Sequence, residues 1–511
     1  MTPAAVDAAG PRVSAVKLPP AVVFVVAACV AVSALRGPYL VGVFHDDGVY
    51  ALLAREIANG NGFHYANLPG HPAAAHYPPF YPLLLAALWR IGPDFPANVP
   101  VLVGFNALLL ATAAVGFWYA GTRLARWRSE VAAAAACVCT LTLPTLTLAG
   151  ALLSETLFLA ALWPSLMLSQ RALDSGSRAT MIEAGVAIGM LMLVRTHAAA
   201  LLAALCLVLA FRRQLANAAL VACMAAMVQV PWLVYSAMAT PHVARPLEGS
   251  YGSYLGWFLA GAREGGLSFL WATMRHNTIE CWLYFGDRFA AGLPAPLTLA
   301  TQAIALAVLG AGVVAAWRRL PLLALFLGLY MAIVLVWPYT PWRFIWGIWP
   351  LIGFTALLGV DGIWRSSSPW RTAALAAAAL PAITMLRVET HAYATREWRT
   401  AASDGARQVA PVLAWVHAHV PPASVVLTEG EQVVTLYEGH EAAPPVSFTA
   451  LEYLKPLSPV EGARRLDDML RAVPARYVIL FNPAMIGSAA LVRAMHPVES
   501  LPGGVVFEVA R

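Results

Sequence analysis

Long apolar segments, separated by short polar connections, occupy most of the first 390 residues. About eleven of them are apolar enough to be predicted as membrane passes. They lie near residues 21–40, 100–122, 131–147, 151–169, 181–194, 198–211, 216–238, 297–316, 320–337, 344–363 and 371–386. After residue 387 the apolar segments become shorter and charged residues more frequent. The pattern predicts a mainly α-helical, polytopic membrane protein with a small C-terminal α/β domain.

The composition agrees with a membrane protein. Of the 511 residues, 60% are hydrophobic and 12% are charged, and the mean hydropathy is +0.67. These values exclude an ordinary soluble globular protein. The formal net charge is +6. Much of this charge comes from arginines in the short connections, so it indicates membrane topology and not a nucleic-acid partner.

The basic connections predict the orientation of the chain. RLARWR at 123–128, FRRQ at 211–214 and WRRL at 317–320 fall on the same side as the basic N-terminus. The positive-inside rule makes that side cytoplasmic, so we predict a plasma (inner) membrane protein with a cytoplasmic N-terminus. The predicted division is a cytoplasmic segment (1–20), a transmembrane domain (21–387) with outer loops 41–99 and 240–296, and an extracytoplasmic α/β domain (388–511).

The apolar segment from 183 to 211 tests this count. It would be one long span with Arg195 and His197 buried at its centre, or two short passes that turn at these residues. One span would move every later basic connection to the outside, against the charge rule. We therefore predict two short helices, with Arg195 and His197 near the outer surface.

The C-terminal segment contains both helical and strand patterns. Residues 407–420 and 461–473 have the apolar spacing of amphipathic helices. Strands are predicted for SVVLT (424–428), VVTLY (433–437), RYVILF (476–481) and VVFEV (505–509). Glu429 and Glu431 follow the first of these strands, either as an edge that contacts an acceptor or as ordinary solvent-exposed acids, which we favour.

Two adjacent carboxylates, Asp46 and Asp47, follow the first apolar segment in the stretch VGVFHDDGVYALLARE. Adjacent acids repel each other and are costly near a bilayer unless a cation, a proton or a reaction uses them. The residues after them, 48–60, have helical apolar spacing and predict an interfacial helix. A second short helix is predicted after the proline pair at residues 78 and 79.

Three more charged residues lie at predicted outer ends of apolar segments. Glu155 is the only charged residue between Glu130 and Arg171, and it would either complement the helix dipole next to a capping Ser154 or belong to a site. Arg195 and Arg343 would either extend to the headgroup level or bind an anion. Taken together, acids beside arginines at the outer leaflet suit a lipid with an anionic head, such as a polyprenyl phosphate.

The order of these motifs resembles the GT-C glycosyltransferases. It comprises a first span, the acid pair in FHDDGVYALLAREIANGNGFHY, the Pro-Pro element in HYPPFYPLLLAALWRIG, and then NALLLATAAVGFWYAGTRLAR, SETLFLA and LVRTHAAALL. The branch it is most similar to contains protein O-mannosyltransferases, the lipid A aminoarabinose transferase and lipopolysaccharide-core transferases. The resemblance covers about residues 20–390 and fades in the C-terminal segment.

The resemblance implies transfer of a hexose or pentose from a polyprenyl-phosphate donor to an extracytoplasmic lipid, glycan or protein. We predict inversion, because inversion needs only one carboxylate base on the acceptor side, whereas a retaining double displacement also needs a nucleophile. The predicted catalytic residues are Asp46, which matches the catalytic base of the family, and Asp47, which matches a position that is more often Glu. Asp47 and Glu155 are predicted to shape the acceptor site or to hold an optional cation. Substrate contacts are implied for His76 and Tyr77 beside the Pro-Pro element, and for Arg343 and, more loosely, Arg195 at the donor phosphate. Glu155 and His197 join the same predicted set of substrate-binding residues.

Several alternatives stay open at the level of the sequence. A lipid-linked sugar transporter (flippase) and a non-enzymatic envelope assembly protein are the rival functions. No metal ligands are assigned, and a divalent cation is left open. Aromatic residues in the predicted loop 240–296, among them Tyr251, Tyr254 and Trp257, would either stack on sugars or form an interfacial aromatic belt, which we favour. The sugar and the acceptor are not predicted.

Overall fold

The computed structural model describes residues 18–510 of the chain. Most of the predicted cytoplasmic segment 1–20 lies outside these residues, as does Arg511. The described part consists of a large helical region followed by a small domain with a five-stranded sheet. The predicted combination of a mainly α-helical polytopic membrane protein with a C-terminal α/β domain is confirmed.

The helical region contains seventeen α-helices within the described residues. They are α1 (Pro20–Leu35), α2 (Asp46–Asn59), α3 (Phe80–Ile91), α4 (Val99–Arg123), α5 (Ser129–Thr140), α6 (Leu143–Ala149), α7 (Glu155–Ser175), α8 (Arg178–Met192), α9 (Ala199–Phe211), α10 (Leu215–Ala239), α11 (Glu248–Tyr251), α12 (Tyr254–Ala290), α13 (Ala295–Arg319), α14 (Pro321–Val336), α15 (Pro341–Trp346), α16 (Trp349–Trp364) and α17 (Arg371–Thr395). Every apolar segment predicted as a pass contains helix. The two short helices predicted after the acid pair are α2 and α3.

Eleven membrane passes are predicted from the sequence, but fewer than eleven of these helices are long enough for a complete span. Among residues 18–510, α4, α10, α13 and α17 are each long and apolar enough to cross a membrane. A fifth span results if α5 and α6, which meet at 65°, count as one broken span. Several others, such as α14 and α16, have 16 residues, about 24 Å of helix, which is shorter than the hydrocarbon core of a bilayer.

The chain breaks between α8 and α9, as the charge rule predicted. Helix α8 ends at Met192, and a short 3₁₀ turn at Thr196–Ala198 leads into α9. Arg195 therefore lies in an extended linker between the helices and not inside a continuous span. This break allows a charged side chain to reach the end of the helical bundle without crossing its apolar centre.

The segment 240–296, predicted as a long outer loop, is mostly helical. Its main element is α12, which is interrupted at Gly266, where φ is +61°. A left-handed backbone conformation of this kind suits glycine, which has no Cβ. Helix α12 packs against α13, α14 and α17, so this segment is part of the helical assembly. Its charged residues, for example Arg275 and Glu280, concealed the helical pattern in the sequence.

The C-terminal domain is built around one mixed sheet. Its strands are β1 (Val425–Thr428), β2 (Ala442–Ala443), β3 (Ala475–Leu480), β4 (Met495–Leu501) and β5 (Gly504–Val509), in the order β2-β1-β3-β5-β4. Strands β1, β2 and β3 are parallel, and β3, β5 and β4 are antiparallel. Its helices are α18 (Thr400–His419), α19 (Glu431–Glu438), α20 (Pro459–Ala472) and α21 (Pro483–Ala489).

Most predicted elements of this domain are present, and one is wrong. Residues 433–437, predicted as a strand from their β-branched side chains, belong to α19. The reason is topological: β1 and β2 are parallel neighbours, so the chain must return across the sheet between them, and a helix makes that crossover. Strands β2 and β4 were not predicted.

The C-terminal domain packs closely against the segment that contains the acid pair. A Cβ atom added at Gly48 would lie 2.5 Å from the Cβ of Gln432 and 2.8 Å from the Cα of Gly42. Gly42 itself, at φ +106°, faces Val433. Helix α19 therefore approaches the backbone of α2 at a distance that only glycine permits.

We expect Gly48→Ala to lower the thermal unfolding temperature of the purified protein in detergent. The new methyl group cannot fit unless α2 and α19 separate, and such overpacking costs about 1–3 kcal/mol. Gly104→Ala is the matched control, because no atom lies within 4 Å of a Cβ at Gly104 in helix α4. Equal unfolding temperatures for the two variants would contradict the close packing of α19 on α2.

Candidate functional site

A cavity of about 640 Å³ lies between the helical region and the C-terminal domain. We call its helical side the floor, which includes Asp46, His76, Tyr77, Arg195, His197 and Arg343. We call its other side the roof, which includes Glu429, Glu431, Pro444, Phe448, Glu452 and Asn482. The volume is in the range of sites that hold a small molecule or a lipid headgroup.

Asp46 lies on the floor, at the first residue of α2. One carboxylate oxygen, Oδ1, accepts a hydrogen bond of 2.7 Å from the hydroxyl of Tyr77. The other, Oδ2, is 2.5 Å from Nη2 of Arg343. The residues that hold Asp46 thus come from the segment before α3 and from α15, far away in the sequence.

Glu155 connects two arginines beneath the cavity. Its Oε1 is 3.0 Å from Nε of Arg343 and 2.9 Å from Nη1 of Arg195. Only 1% of the Glu155 side chain is exposed, whereas Arg195 and Arg343 keep 13% and 15% exposed. The carboxylate therefore positions two guanidinium groups from below, and each arginine also lines the cavity. Asp46, Glu155, Arg195 and Arg343 form one network, which we call the acid–arginine network.

The charges of this network determine the protonation of Asp46. Burial by itself would raise the pKa of the carboxyl group. The Arg343 guanidinium beside it acts in the opposite direction. Together with His45 and the hydrogen bonds from Tyr77 and Arg343 it outweighs burial, so the pKa of Asp46 is lowered to about 2. Asp46 is consequently a carboxylate at any physiological pH, and it can accept a proton only as its environment changes or as a reacting group becomes more acidic.

Asp47 has a different environment from its neighbour. It is fully buried and does not line the cavity. Its Oδ2 accepts from the Tyr39 hydroxyl and, at 2.9 Å, from the Gly42 amide, and its Oδ1 accepts from the Phe44 amide at 3.0 Å. Burial raises the pKa of Asp47. The carboxyl group holds the segment before α2 in place, and it does not reach the floor.

His76 and His197 are both largely buried on the floor. The Nδ1 atom of His76 is 2.6 Å from the Gly252 carbonyl oxygen, so it donates to that oxygen. Burial lowers the pKa of His76 to about 4, which keeps the ring neutral at physiological pH. His197 packs against Phe344, with 4.7 Å between ring centres, and within the described residues its Nε2 has no hydrogen-bond partner.

Ser154 does not cap α7 through its side chain, although it occupies the N-cap position. Its hydroxyl is 3.0 Å from the Tyr50 hydroxyl and accepts from Nη1 of Arg195 at 3.2 Å. The helix-capping interpretation of this stretch therefore does not describe Ser154, which helps to orient Arg195. Tyr50 was missed in the sequence, because a tyrosine on an apolar helix face has no distinctive signal.

The roof brings residues to the cavity that the sequence assigned differently. Glu431, interpreted as solvent-exposed, is 1% exposed, and its Oε1 accepts from the Tyr251 hydroxyl at 3.0 Å. Glu429 is half-buried and lines the cavity, as do Tyr254 and Trp257 from α12. Two of the aromatic residues assigned to a belt thus belong to the cavity wall, whereas Trp271 is 64% exposed.

No group of three or more His, Cys, Asp and Glu side chains is arranged to hold a metal ion in the described part of the chain. The acids nearest to the cavity floor, Asp46 and Glu155, are each bound to an arginine. The groups available for chemistry at the floor are therefore one carboxylate and two guanidinium groups. Such a set can bind an anion with the arginines and accept a proton with the carboxylate.

Comparison with known proteins identifies the fold. No protein-family model matches the chain, and no curated protein sequence matches it. Solved structures do match. ArnT from Cupriavidus metallidurans bound to undecaprenyl phosphate has a TM-score of 0.54 and 14% sequence identity, over 95% of this chain and 97% of that chain, and its apo state gives the same values. The chain has a GT-C fold.

A second solved structure extends this result. The apo form of the Archaeoglobus fulgidus oligosaccharyltransferase has a TM-score of 0.52 and 14% identity, over 93% of this chain and 71% of that chain. At such identities the likeness establishes the fold alone. The GT-C fold predicted from the motif order is confirmed. It is shared over nearly the whole chain, including the C-terminal segment where the sequence resemblance fades.

In this GT-C fold we expect Arg343→Gln to raise the pKa of Asp46, because burial then acts without the opposing guanidinium charge. In the wild type the pKa of Asp46 is about 2, so the carboxyl group stays ionised between pH 7 and pH 4. In the variant a protonated carboxyl band should appear in infrared difference spectra as the pH is lowered from about 7 to 4. Spectra of each protein are taken with and without Asp46→Asn to assign the band.

The matched control is Arg319→Gln, which removes an arginine that pairs with Asp361 away from the cavity. It should leave the Asp46 titration unchanged. If the Asp46 carboxyl titrates identically with and without Arg343, the acid–arginine network does not set its protonation.

Proposed function

We propose that the protein is an inverting membrane glycosyltransferase that moves a sugar from a polyprenyl-phosphate donor to a hydroxyl acceptor. The acid–arginine network is the observation that supports this proposal most. It joins a carboxylate and two arginines from three separate segments at the floor of one cavity. ArnT from Cupriavidus metallidurans, which has the same fold, binds undecaprenyl phosphate.

Arg195 and Arg343 are the proposed ligands of the donor phosphate. A guanidinium group has five N–H donors in a planar arrangement that matches phosphate oxygens. Each arginine keeps donors for the phosphate while Glu155 holds it in position. As the bond between the anomeric carbon and the phosphate oxygen breaks, negative charge develops on the leaving phosphate, and the two guanidinium groups stabilise it.

Asp46 is the proposed general base. The acceptor hydroxyl attacks the anomeric carbon on the face opposite to the phosphate, and its proton moves to the Asp46 carboxylate. The new glycosidic bond forms while the phosphate monoester leaves, which inverts the anomeric configuration. The phosphate also competes with Asp46 for Arg343, which would raise the basicity of the carboxylate when the donor is bound.

The other predicted site residues have supporting roles in this proposal. Tyr77 orients Asp46 through its hydroxyl, and neutral His76 contributes to the wall beside it. Asp47 is proposed to hold the segment before α2, not to touch the substrate, since its oxygens are bonded away from the cavity. His197 contributes its ring to the cavity wall.

The orientation in the membrane is part of the proposal. The alternation of basic connections favours a cytoplasmic N-terminus and an extracytoplasmic C-terminal domain. The cavity would then open on the outer side of the plasma (inner) membrane. The sugar, whether hexose or pentose, would be selected by contacts that the phosphate-binding arginines do not make.

We expect Asp46→Asn to reduce sugar transfer by about a hundredfold to ten-thousandfold, which is the usual contribution of a general base. Binding of undecaprenyl phosphate should persist, because the arginines are retained. Transfer is measured with purified protein in nanodiscs and a panel of sugar-labelled undecaprenyl-phosphate donors, with envelope extracts from cells that lack the protein as acceptors. Binding is measured separately by native mass spectrometry.

Asp47→Asn is the matched control for this experiment. It should lower the thermal unfolding temperature and leave transfer by the folded fraction within about tenfold of the wild type, since a group outside the cavity takes no proton. Donor translocation without any glycosyl product from the wild type would favour a flippase. Unchanged transfer by Asp46→Asn would remove Asp46 from the mechanism.

A further inference from the structure

The roof of the cavity is formed by the carboxyl ends of three parallel strands. Glu429 follows β1, Pro444 follows β2 and Asn482 follows β3, and all three residues line the cavity. In the strand order β2-β1-β3, the chain leaves β1 to one side for β2 and returns to the other side for β3. The gap between β1 and β3 is therefore a topological switch point, the position at which open α/β sheets bind their ligands.

Two side chains form this gap, and each has an unused polar group. Oε2 of Glu429 accepts from the backbone amides of Phe481 and Asn482, at 2.6 and 3.0 Å, and so joins the loops after β1 and β3. Oδ1 of Asn482 accepts from the Ala484 amide at 2.9 Å. Within residues 18–510, Oε1 of Glu429 and Nδ2 of Asn482 make no hydrogen bond. Both residues line the cavity.

Two aromatic side chains line the same cavity as this gap. The indole N–H of Trp257 donates to the Phe448 carbonyl oxygen at 2.9 Å, and the two rings lie 5.9 Å apart. The hydrogen bond fixes the Trp257 ring as part of the cavity lining. An aromatic face in one cavity with a carboxylate oxygen and an amide N–H₂ is a combination that suits a sugar ring, which has an apolar C–H face and hydroxyls at its edge.

The charge of the roof selects among acceptors. Within the described residues, the C-terminal domain contributes carboxylates to the cavity lining but no Arg, Lys or His. A phosphorylated or carboxylated acceptor would meet like charge there. Glu452 is paired with Arg465, and Glu431 is bonded to Tyr251 and Gln432. The free Glu429 oxygen and the Asn482 amide together match a hydroxyl group, which both donates and accepts.

We infer that the gap between β1 and β3 is the acceptor-binding site, and that the acceptor is a neutral, hydroxyl-rich glycan. Glu429 and Asn482 bind its hydroxyls, Trp257 supports a sugar ring, and the attacking hydroxyl points across the cavity toward Asp46. This inference rests on the proposed glycosyltransferase function. It assigns the donor to the floor of the cavity and the acceptor to the roof.

Two isosteric variants test the acceptor site without removing the bonds that hold the roof. Glu429→Gln keeps a carbonyl oxygen for the amides of Phe481 and Asn482, and changes the group that faces the cavity. Asn482→Asp keeps the acceptor for Ala484 and removes the N–H₂ donor. The matched control is Glu508→Gln, which alters an acid of strand β5 that pairs with Arg476 away from the cavity.

The assay uses full-length protein in nanodiscs, sugar-labelled undecaprenyl-phosphate donors, and envelope glycans from cells that lack the protein. The glycans are separated by anion exchange into a neutral and a phosphorylated fraction. We expect the label in the neutral fraction. Loss of one hydrogen bond in Glu429→Gln or Asn482→Asp should raise the KM for that fraction about fivefold or more, while the donor KM and the values for Glu508→Gln stay at the wild-type level.

Label in the phosphorylated fraction, in lipid or in protein would overturn the inference, as would identical KM values for the roof variants and Glu508→Gln. Consumption of the donor without labelled glycan also counts against it. These results differ from failure of the proposed function, in which the wild type releases no sugar from any donor. A raised donor KM in Glu429→Gln, with the acceptor KM at the wild-type level, would assign Glu429 to the donor site.

Discussion

The arrangement of the floor depends on one guanidinium group. Arg343 binds Asp46 through Nη2 and Glu155 through Nε, and Glu155 in turn binds Arg195. Two buried carboxylates so close together would be costly without the cations between them, because each charge loses its hydration. The same contacts keep Asp46 ionised and keep two arginines at the surface of the cavity. Stability and proposed chemistry therefore use the same atoms.

The C-terminal domain completes the cavity and does not merely follow the helical region. Its helix α19 packs on α2 through the glycines at 42 and 48, which fixes the roof above the acid pair. The strand order then directs the loops after β1 and β3 toward the floor. In this account a lipid phosphate and an acceptor approach from opposite sides, and the transfer takes place where the two sides meet.

Much of the fold and part of the site could be predicted from the sequence, for physical reasons. Charged residues such as Glu155 and Arg343 stand out in apolar surroundings, and the positive-inside rule grouped them at one end. Only the family resemblance singled out Asp46 from Asp47. The residues alone could not, because neighbours on a helix point about 100° apart and only the tertiary structure fixes which one faces the cavity. Asn482 gave no signal, since polar residues are common in loops.

The most direct test of this account is a cryo-electron microscopy structure of the protein in nanodiscs with undecaprenyl phosphate. We predict phosphate density within about 2.7–3.2 Å of guanidinium nitrogens of Arg343 and Arg195, with the Asp46 carboxylate facing the space between the phosphate and the loop that contains Glu429. Phosphate density outside the cavity, with both arginines still bound only to Asp46 and Glu155, would contradict it.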